Sequence, residues 1–270
     1  KGTTPYELLM TEEWKFTYTD NDNPHFSVFG GGYGTLTKVG STDVTVNVDG
    51  DYSKYDTNAD NNKQLVHKKN TSASPVFDNL MGIPNFTVWG VLGGGYAGTV
   101  ADSTKVTVDG NTFVHHVFGG GFGDPASTED NTTGQIGSNT EVYVRGAFTH
   151  GDVFGRRMFG GGSYSSVRST DVEIKAVDCH DVFGGGLMGD VLKGTTVRIG
   201  TNTPDAMATF NNSDIYIHGN IYGGNDVSGY VNVGLNKDGY FKDNGGTGAS
   251  IQIFGGHIYG DVYGAGNGNY

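Results

Sequence analysis

The chain of 270 residues is poor in several residue types, and each scarcity excludes a class of protein. It has one cysteine, Cys179, so no disulfide can form within the chain. Flanked by apolar residues, Cys179 is expected to be a small buried hydrophobe. No apolar run approaches the roughly 18 residues that a membrane-spanning helix requires. The sequence therefore predicts neither a disulfide framework nor a helical membrane span.

Basic residues are also scarce, with 17 Lys and Arg against 29 Asp and Glu and a net charge of −12. A strongly acidic surface repels phosphate backbones and anionic lipid headgroups, so nucleic acid is not expected as a partner. The acidity fits a soluble surface, with calcium binding or a basic partner as alternatives. A helical period is also missing, apart from a short helix or capping segment predicted for residues 5–15.

Glycine, in contrast, is abundant at 47 residues, and most of it falls in a motif that recurs seven times. Each copy has an apolar residue, then usually an aromatic residue, then a glycine cluster. Because internal repetition decides the architecture, it outranks the other sequence signals. The copies occupy residues 28–32, 91–95, 117–121, 158–162, 182–186, 221–224 and 262–266.

A second element alternates with the glycine clusters and has β-branched residues two positions apart, which is typical of half-buried strands. A threonine often stands just before the pair, as at Thr42, Thr104, Thr140, Thr170 and Thr196. The pairs are Val44/Val46, Val106/Val108, Val142/Val144, Val172/Ile174, Val197/Ile199, Ile215/Ile217, Val231/Val233 and Ile251/Ile253.

The repeat length distinguishes between folds, because 24 residues separate Gly160 from Gly184 and 25 separate Val172 from Val197. A period near 25 with two strands predicts an all-β, right-handed parallel β-solenoid (β-helix) with glycine clusters at its corners. Glycine suits a corner because it adopts positive φ and lets neighbouring backbones approach. The alternative is a β-propeller or β-prism, because other spacings, such as Gly119 to Gly160, reach 41 residues.

The domain organisation follows from where the repeats begin. Residues 1–25 are expected to be a cap or linker, and residues 26–270 the solenoid. Polar insertions between repeats predict loops at 51–74, 124–139, 200–213 and 234–249. The start at Lys1 and the stop at Tyr270 lead us to expect a fragment of a longer protein.

The pattern of Val-Phe-Gly-Gly-Gly, Ser/Thr-x-Val-x-Val and Val-Tyr-Gly-Gly resembles the glycine-rich repeats of large secreted or cell-surface, adhesin-like proteins of Bacteroidetes-type bacteria. The resemblance covers roughly residues 26–270 and rests on the texture of the repeats. It implies export, display at the cell surface, and an adhesive or structural role.

Four aromatic residues that follow glycine clusters are candidates for ligand binding: Tyr33, Tyr96, Phe122 and Tyr164. If they are exposed, they offer stacking surfaces for sugar rings. The alternative is that each one packs over the neighbouring repeat.

Two aspartates are candidates for calcium binding. Asp124 and Asp226 end stretches that loosely resemble the Gly-Gly-x-Gly-x-Asp repeat of calcium-binding β-helices. The nine-residue period of true arrays is missing, so tight turns closed by Asn or Asp side chains are the alternative. No cofactor other than calcium is indicated.

Catalysis is the main rival to a structural role, because parallel β-helices also host polysaccharide lyases and hydrolases. Asp152, Asp181, Asp190 and Asp261 flank glycine clusters, and Arg156-Arg157 is the only doubled basic pair. The aspartate recurs at the same repeat position, however, which indicates a role in a turn. The threonines also suggest an ice-binding face, but the repeats are too irregular to favour one.

The sequence therefore predicts an extracellular structural or adhesive repeat module without catalytic activity. Its loops would bind glycans or proteins on host or bacterial surfaces, and its solenoid ends would permit self-association. The alternative function is a β-helical polysaccharide-active enzyme.

Overall fold

The computed structural model describes residues 26–47, 88–110, 112–123, 134–145, 154–202, 212–235, 241–243 and 245–268. Regular structure in these ranges is β-strand, apart from one 3-10 turn at Asn212–Asp214. The all-β class is therefore confirmed. Among the same residues no helix has the length and apolar character needed to cross a bilayer. The expected segments at 1–25 and 51–74 lie outside the described ranges.

Short strands alternate with turns along the whole described chain. In chain order they are β1 (Phe26–Phe29), β2 (Lys38–Val39), β3 (Thr42–Asn47), β4 (Val88–Leu92), β5 (Thr99–Val100), β6 (Thr104–Asp109), β7 (Phe113–Phe118), β8 (Ile136–Val144), β9 (Phe154–Phe159), β10 (Val167–Ile174), β11 (Val177–Phe183), β12 (Val191–Ile199), β13 (Ile215–Ile217), β14 (Ile221–Tyr222), β15 (Val233–Leu235), β16 (Phe241–Asp243), β17 (Gly248–Ile253), β18 (His257–Ile258) and β19 (Val262–Tyr263).

These strands form two large parallel sheets, which the chain visits in turn. The first sheet has the order β1-β4-β7-β9-β11, followed by β13 with β14 and then β18 with β19. The second runs β17-β12-β10-β8, after which β5 and β6 and then β2 and β3 complete it. Successive repeats are thus neighbours in space, as a β-solenoid requires. The antiparallel blades of a propeller would not give this pairing.

Pairing is in register, so equivalent residues of successive repeats form columns. In the second sheet Val142 aligns with Val172 and Val172 with Val197, and all three are fully buried. Valines, isoleucines and Met158 from both sheets share one aliphatic core, which also takes in Cys179. Burial raises the pKa of the Cys179 thiol. Cys179 is therefore the small buried hydrophobe that the sequence predicts.

The aromatic residue of each motif forms a second column on the opposite face of the first sheet. Phe118 and Phe159 stack with ring centroids 4.6 Å apart, and Phe159 and Phe183 with 4.8 Å. Tyr222 and Tyr263 extend the stack at 4.8 and 5.1 Å. Successive residues of a strand point to opposite faces, so Val117 enters the aliphatic core while Phe118 enters this column. The predicted stacking of aromatic over aromatic is confirmed.

The glycine clusters are required by close contact between repeats and not by backbone angle. A Cβ on Gly119 would collide with the carbonyl oxygen of Gly160, and one on Gly160 with that of Gly184. None of the described clusters has a positive φ, which occurs instead at other glycines such as Gly123 and Gly134. Close approach of the backbones is therefore confirmed, whereas the expected positive φ in the clusters is wrong.

Buried threonines connect the two sheets through the same glycines. The hydroxyl groups of Thr104, Thr140 and Thr170 donate to the first glycine carbonyl of the following repeat, each at 2.5 Å. In the next repeat the donor is Thr195, whereas the sequence pattern favoured Thr196. The register shows why, because Thr195 aligns with Thr170 and Thr196 with Asp171. Since these hydroxyls are buried, the threonine column cannot present a flat face to ice.

Three other expectations about individual segments need correction. Val231 forms an isolated bridge to Val191, and Val233 begins an antiparallel hairpin of β15 and β16. Val231/Val233 is therefore not a strand of the large sheets. The predicted loop at 124–139 overlaps β8, which begins at Ile136 because this residue packs with Val100 and Val167. The predicted loop at 234–249 contains β16 and the start of β17.

Candidate functional site

The four candidate aromatic residues form a third column, which lies beside the motif column. Ring centroids are 5.1 Å apart for Tyr33 and Tyr96, 5.0 Å for Tyr96 and Phe122, and 5.6 Å for Phe122 and Tyr164. Backbone hydrogen bonds build this column, because the amides of Phe122 and Tyr164 donate to Gly95 and Phe122 of the preceding repeats. The residues therefore pack over neighbouring repeats, which was the alternative interpretation.

Exposure divides this column into a buried and an open part. Tyr33 and Tyr96 are 81% and 37% exposed, whereas Phe122 and Tyr164 are 7% and 6% exposed. The expectation that all four are exposed is therefore wrong for Phe122 and Tyr164, which join the apolar cluster that contains the motif aromatics. Only Tyr33 and Tyr96 present surface to a ligand.

The open part belongs to a larger apolar surface at the first repeat. Leu36 is 94% exposed, and Phe29 is 36% exposed and meets the Tyr96 ring edge-on at 6.1 Å. We call Phe29, Tyr33, Leu36 and Tyr96 the aromatic end. Two nearly parallel tyrosine rings on a rigid sheet provide a platform on which an apolar face can stack.

Charged residues gather around Arg157 on the first sheet. Its guanidinium lies 3.2 Å from Oδ2 of Asp226 and 3.7 Å from Oδ2 of Asp181. Asp181 also lies 2.7 Å from Nδ1 of His180 and accepts the Asn220 amide at 2.8 Å. Asp181 and Asp226 are 6% and 3% exposed, so each depends on these partners to offset the cost of burying a carboxylate.

This cluster brings together residues up to 69 positions apart, and sequence reasoning missed it. A signal was available, because Arg157 and Asp181 both stand two residues before the aromatic of their motif. The register confirms that they are paired neighbours in adjacent strands. A second buried pair lies close by, where His218 Nε2 and Asp178 Oδ1 are 2.9 Å apart.

The candidate calcium ligands stand in different positions. Asp124 lies outside the described residues. Asp226 is held by Arg157 through Oδ2 and by the Asn267 amide through Oδ1, at 2.8 Å. Across the described ranges no group of three or more His, Cys, Asp or Glu residues is arranged to hold a metal ion. The protein partners of Asp226 thus account for its burial without a cation.

The aspartates considered for catalysis have partners that fit turns. Asp190 accepts the Tyr230 amide at 2.8 Å. Asp261 donates its backbone amide to Asn220 and accepts the Tyr263 hydroxyl at 3.1 Å. Asp152 lies outside the described residues. With Asp181, these contacts show the recurrent aspartates joining neighbouring repeats.

The outer face of the second sheet has paired charges. Arg198 lies 2.7 Å from Asp171 and 3.7 Å from Glu173. The Tyr143 hydroxyl donates to Glu141 at 3.0 Å, and burial together with this carboxylate raises the pKa of Tyr143 to about 12. These contacts run along the columns, so they add to the stacking of repeats.

Comparison with known proteins gives no relative for this chain: no family model, curated protein or solved structure matches it.

Proposed function

We propose that the chain is an extracellular structural and adhesive module of a bacterial surface protein, without catalytic activity. Its framework would be a right-handed parallel β-solenoid, with residues 1–25 as a cap or linker. Successive visits to two parallel sheets support the solenoid, and the strong preference of parallel crossovers for the right hand supports the handedness. The module would serve as a rigid stalk that presents binding surfaces.

The continuity of the columns carries this proposal. The stack from Phe118 to Tyr263 passes through five repeats without a break. The buried carboxylates Asp178, Asp181 and Asp226 are all bound by side chains of other repeats or neighbours. Such a body resists bending, because each repeat contacts its neighbours over both sheets.

The aromatic end supports an adhesive role, since Tyr33 and Tyr96 offer exposed rings on a fixed backbone. Their partners would be glycans or proteins of host or bacterial surfaces. The insertions between repeats would add further binding surface, because loops on a rigid scaffold commonly carry function.

The alternative is a polysaccharide-active enzyme, which would need two carboxylates about 5–10 Å apart on either side of a bound sugar. Asp181 and Asp226 are close enough to share Arg157. Both are buried and hydrogen-bonded, however, and a general acid must reach its substrate. The contacts of this cluster therefore favour a structural role.

A glycan array probed with the purified chain, with and without EDTA, tests the proposal. We expect binding that is reduced by Tyr33→Ser with Tyr96→Ser and retained by Tyr259→Ser. Tyr259 is the matched control, because it is an exposed ring at the opposite end, 59% exposed. Release of reducing sugar from the offered polysaccharides would favour the enzyme. Loss of binding in EDTA would assign calcium to the module.

A further inference from the structure

An open cleft of about 650 Å³ lies at the last described repeat, far along the chain from the aromatic end. The glycine cluster at 264–266 forms one wall, and residues 224–231 of the preceding repeat form another. Asp190 and Ala249 complete the lining. In earlier repeats the equivalent space is filled by the backbone of the repeat that follows.

Two substitutions make this cleft a poor seat for another repeat of the same kind. At the middle position of the cluster, a Cβ on Gly120 or Gly161 would lie 2.7 Å from the backbone nitrogen of the next repeat, and here the residue is Ala265. In the threonine column, Thr195 is followed by Ala249, which has no hydroxyl to offer a further carbonyl. The cleft therefore lacks the space and the donor that hold one repeat on another.

Gly264, by contrast, remains glycine without a structural reason among the described residues. An added Cβ there would meet no heavy atom within 4 Å, and Gly264 does not have a positive φ. Each of the other first-position glycines is covered by a carbonyl oxygen of the following repeat. A glycine kept open in this way marks a place where another molecule approaches the backbone closely.

The cleft also contains a buried hydrogen-bond donor that no described residue satisfies. Asn225 is 4% exposed and accepts the Gly186 amide through Oδ1 at 2.8 Å. Its Nδ2 has no partner in the described part of the chain. This nitrogen points toward Gly229, another lining residue, and lies 2.5 Å from the place where a Cβ on Gly229 would stand. An unused buried amide is costly, so a ligand acceptor would satisfy it.

Groups of complementary chemistry line the rest of the space. The Asp190 carboxylate is an acceptor, and desolvation by burial raises its pKa. The ring of Tyr230 is 39% exposed, while Val227 and Ala249 add apolar surface. A donor, an acceptor and a partly open ring match the alternating hydroxyls and apolar face of a sugar. The acidic lining and the net charge of −12 disfavour an anionic ligand.

We infer that this cleft binds one or two units of a neutral or amino-substituted saccharide, whose hydroxyls accept from Asn225 and donate to Asp190. Its volume is within the usual range of small-ligand sites. The inference rests on the proposed adhesive function and adds a second saccharide site at the end opposite the aromatic end.

The sharpest test fills the cleft without disturbing the fold, by the substitution Gly264→Leu. The matched control is Gly40→Leu, because Gly40 also has no heavy atom near an added Cβ and no positive φ, and lies in the second sheet's turn near the first repeat. The probes are immobilised oligosaccharides of neutral hexoses, of amino sugars and of uronic acids. Circular dichroism and thermal melting confirm that both variants fold.

We expect Gly264→Leu to weaken binding to the neutral or amino-sugar probes by at least about tenfold, and Gly40→Leu to leave it unchanged. Asp190→Asn keeps an acceptor for the Tyr230 amide and should weaken binding less, most strongly for amino sugars. Unchanged binding in Gly264→Leu overturns the cleft site. If Tyr33→Ser with Tyr96→Ser abolishes binding at the same time, the adhesive function stands.

Two other outcomes also overturn the inference. A preference for the uronic acid probes would contradict the charge argument. A wild-type chain that binds a Val-Phe-Gly-Gly-Gly peptide but none of the saccharides would show that the cleft receives backbone. In that case the glycan part of the proposed function would fail as well, while the stalk would remain.

Discussion

The repeats in the middle of the chain and the last described repeat share one motif but differ in how each residue is used. In the middle, Phe159 is fully buried between two rings, and Gly160 lies against the carbonyl of Gly184. At the last repeat the equivalent Tyr263 is 44% exposed, and Gly264 has open space. The comparison teaches that the motif encodes stacking, because the same residues are indispensable only where a further repeat covers them.

The largest contrast is expected in the aromatic column. Phe159→Ala should destabilise the protein by about 3–5 kcal/mol, because it leaves a cavity between Phe118 and Phe183. Tyr263→Ala should cost less than about 1 kcal/mol, since one face of this ring is already open. Denaturant unfolding of both variants measures the difference. Equal effects would show that the column does not stabilise the middle repeats.

The first glycine of the cluster gives the next contrast. Gly160→Ala should cost about 3 kcal/mol, because the new methyl group collides with backbone that cannot move away alone. Gly264→Ala should be neutral or stabilising by up to about 1 kcal/mol, since it restricts the unfolded chain at an unstrained position. The melting temperatures of the two variants give the answer. A tolerated Gly160→Ala would refute the close approach of repeats.

A smaller effect is expected where a threonine connects the sheets. Thr140→Val removes the hydrogen bond to the Gly160 carbonyl while keeping the side-chain volume, and should cost about 1 kcal/mol. The reverse change at the last repeat, Ala249→Thr, should leave stability unchanged, because no described repeat follows it. Unfolding curves compare the two. A neutral Thr140→Val would mean that the hydroxyl adds nothing to the ladder.

The smallest effect concerns pH, and it arises on the outer face of the second sheet. The pKa of Tyr143 is raised to about 12, whereas an unfolded tyrosine ionises near pH 10. The contribution of Tyr143 is therefore complete below pH 10 and declines as pH rises toward 12. The stability difference between wild type and Tyr143→Phe should shrink over that window. A difference that is constant from pH 9 to pH 12 would contradict the assigned contact with Glu141.

Much of this fold was predictable, because each repeat uses the same short signals. The alternation of Val172 and Ile174, or of Val197 and Ile199, identifies strands of the second sheet. The aromatic before each glycine cluster predicts the stacked column. These predictions depend on local spacing and on the rule that repeats stack on one another.

The features that were missed depend on register, which spacing alone does not define. Thr195 and Thr196 are equivalent in a single sequence, and only alignment with Thr170 identifies Thr195 as the donor. The contact between Arg157 and Asp226 crosses several repeats with insertions of unequal length. The burial of Phe122 and Tyr164 likewise depends on which residue lies in the neighbouring repeat.

Cysteine cross-linking tests the parallel register most directly. Asn139 and Ser169 are paired in adjacent strands, 30 residues apart, and their side chains share a hydrogen bond of 2.7 Å. Asn139→Cys with Ser169→Cys should form a disulfide under mild oxidation, because paired strands bring Cα atoms within disulfide range. Asn139→Cys with Asp171→Cys, which is two residues out of register, should not. Efficient bonding of the second pair with none in the first would contradict the in-register stacking on which the account rests.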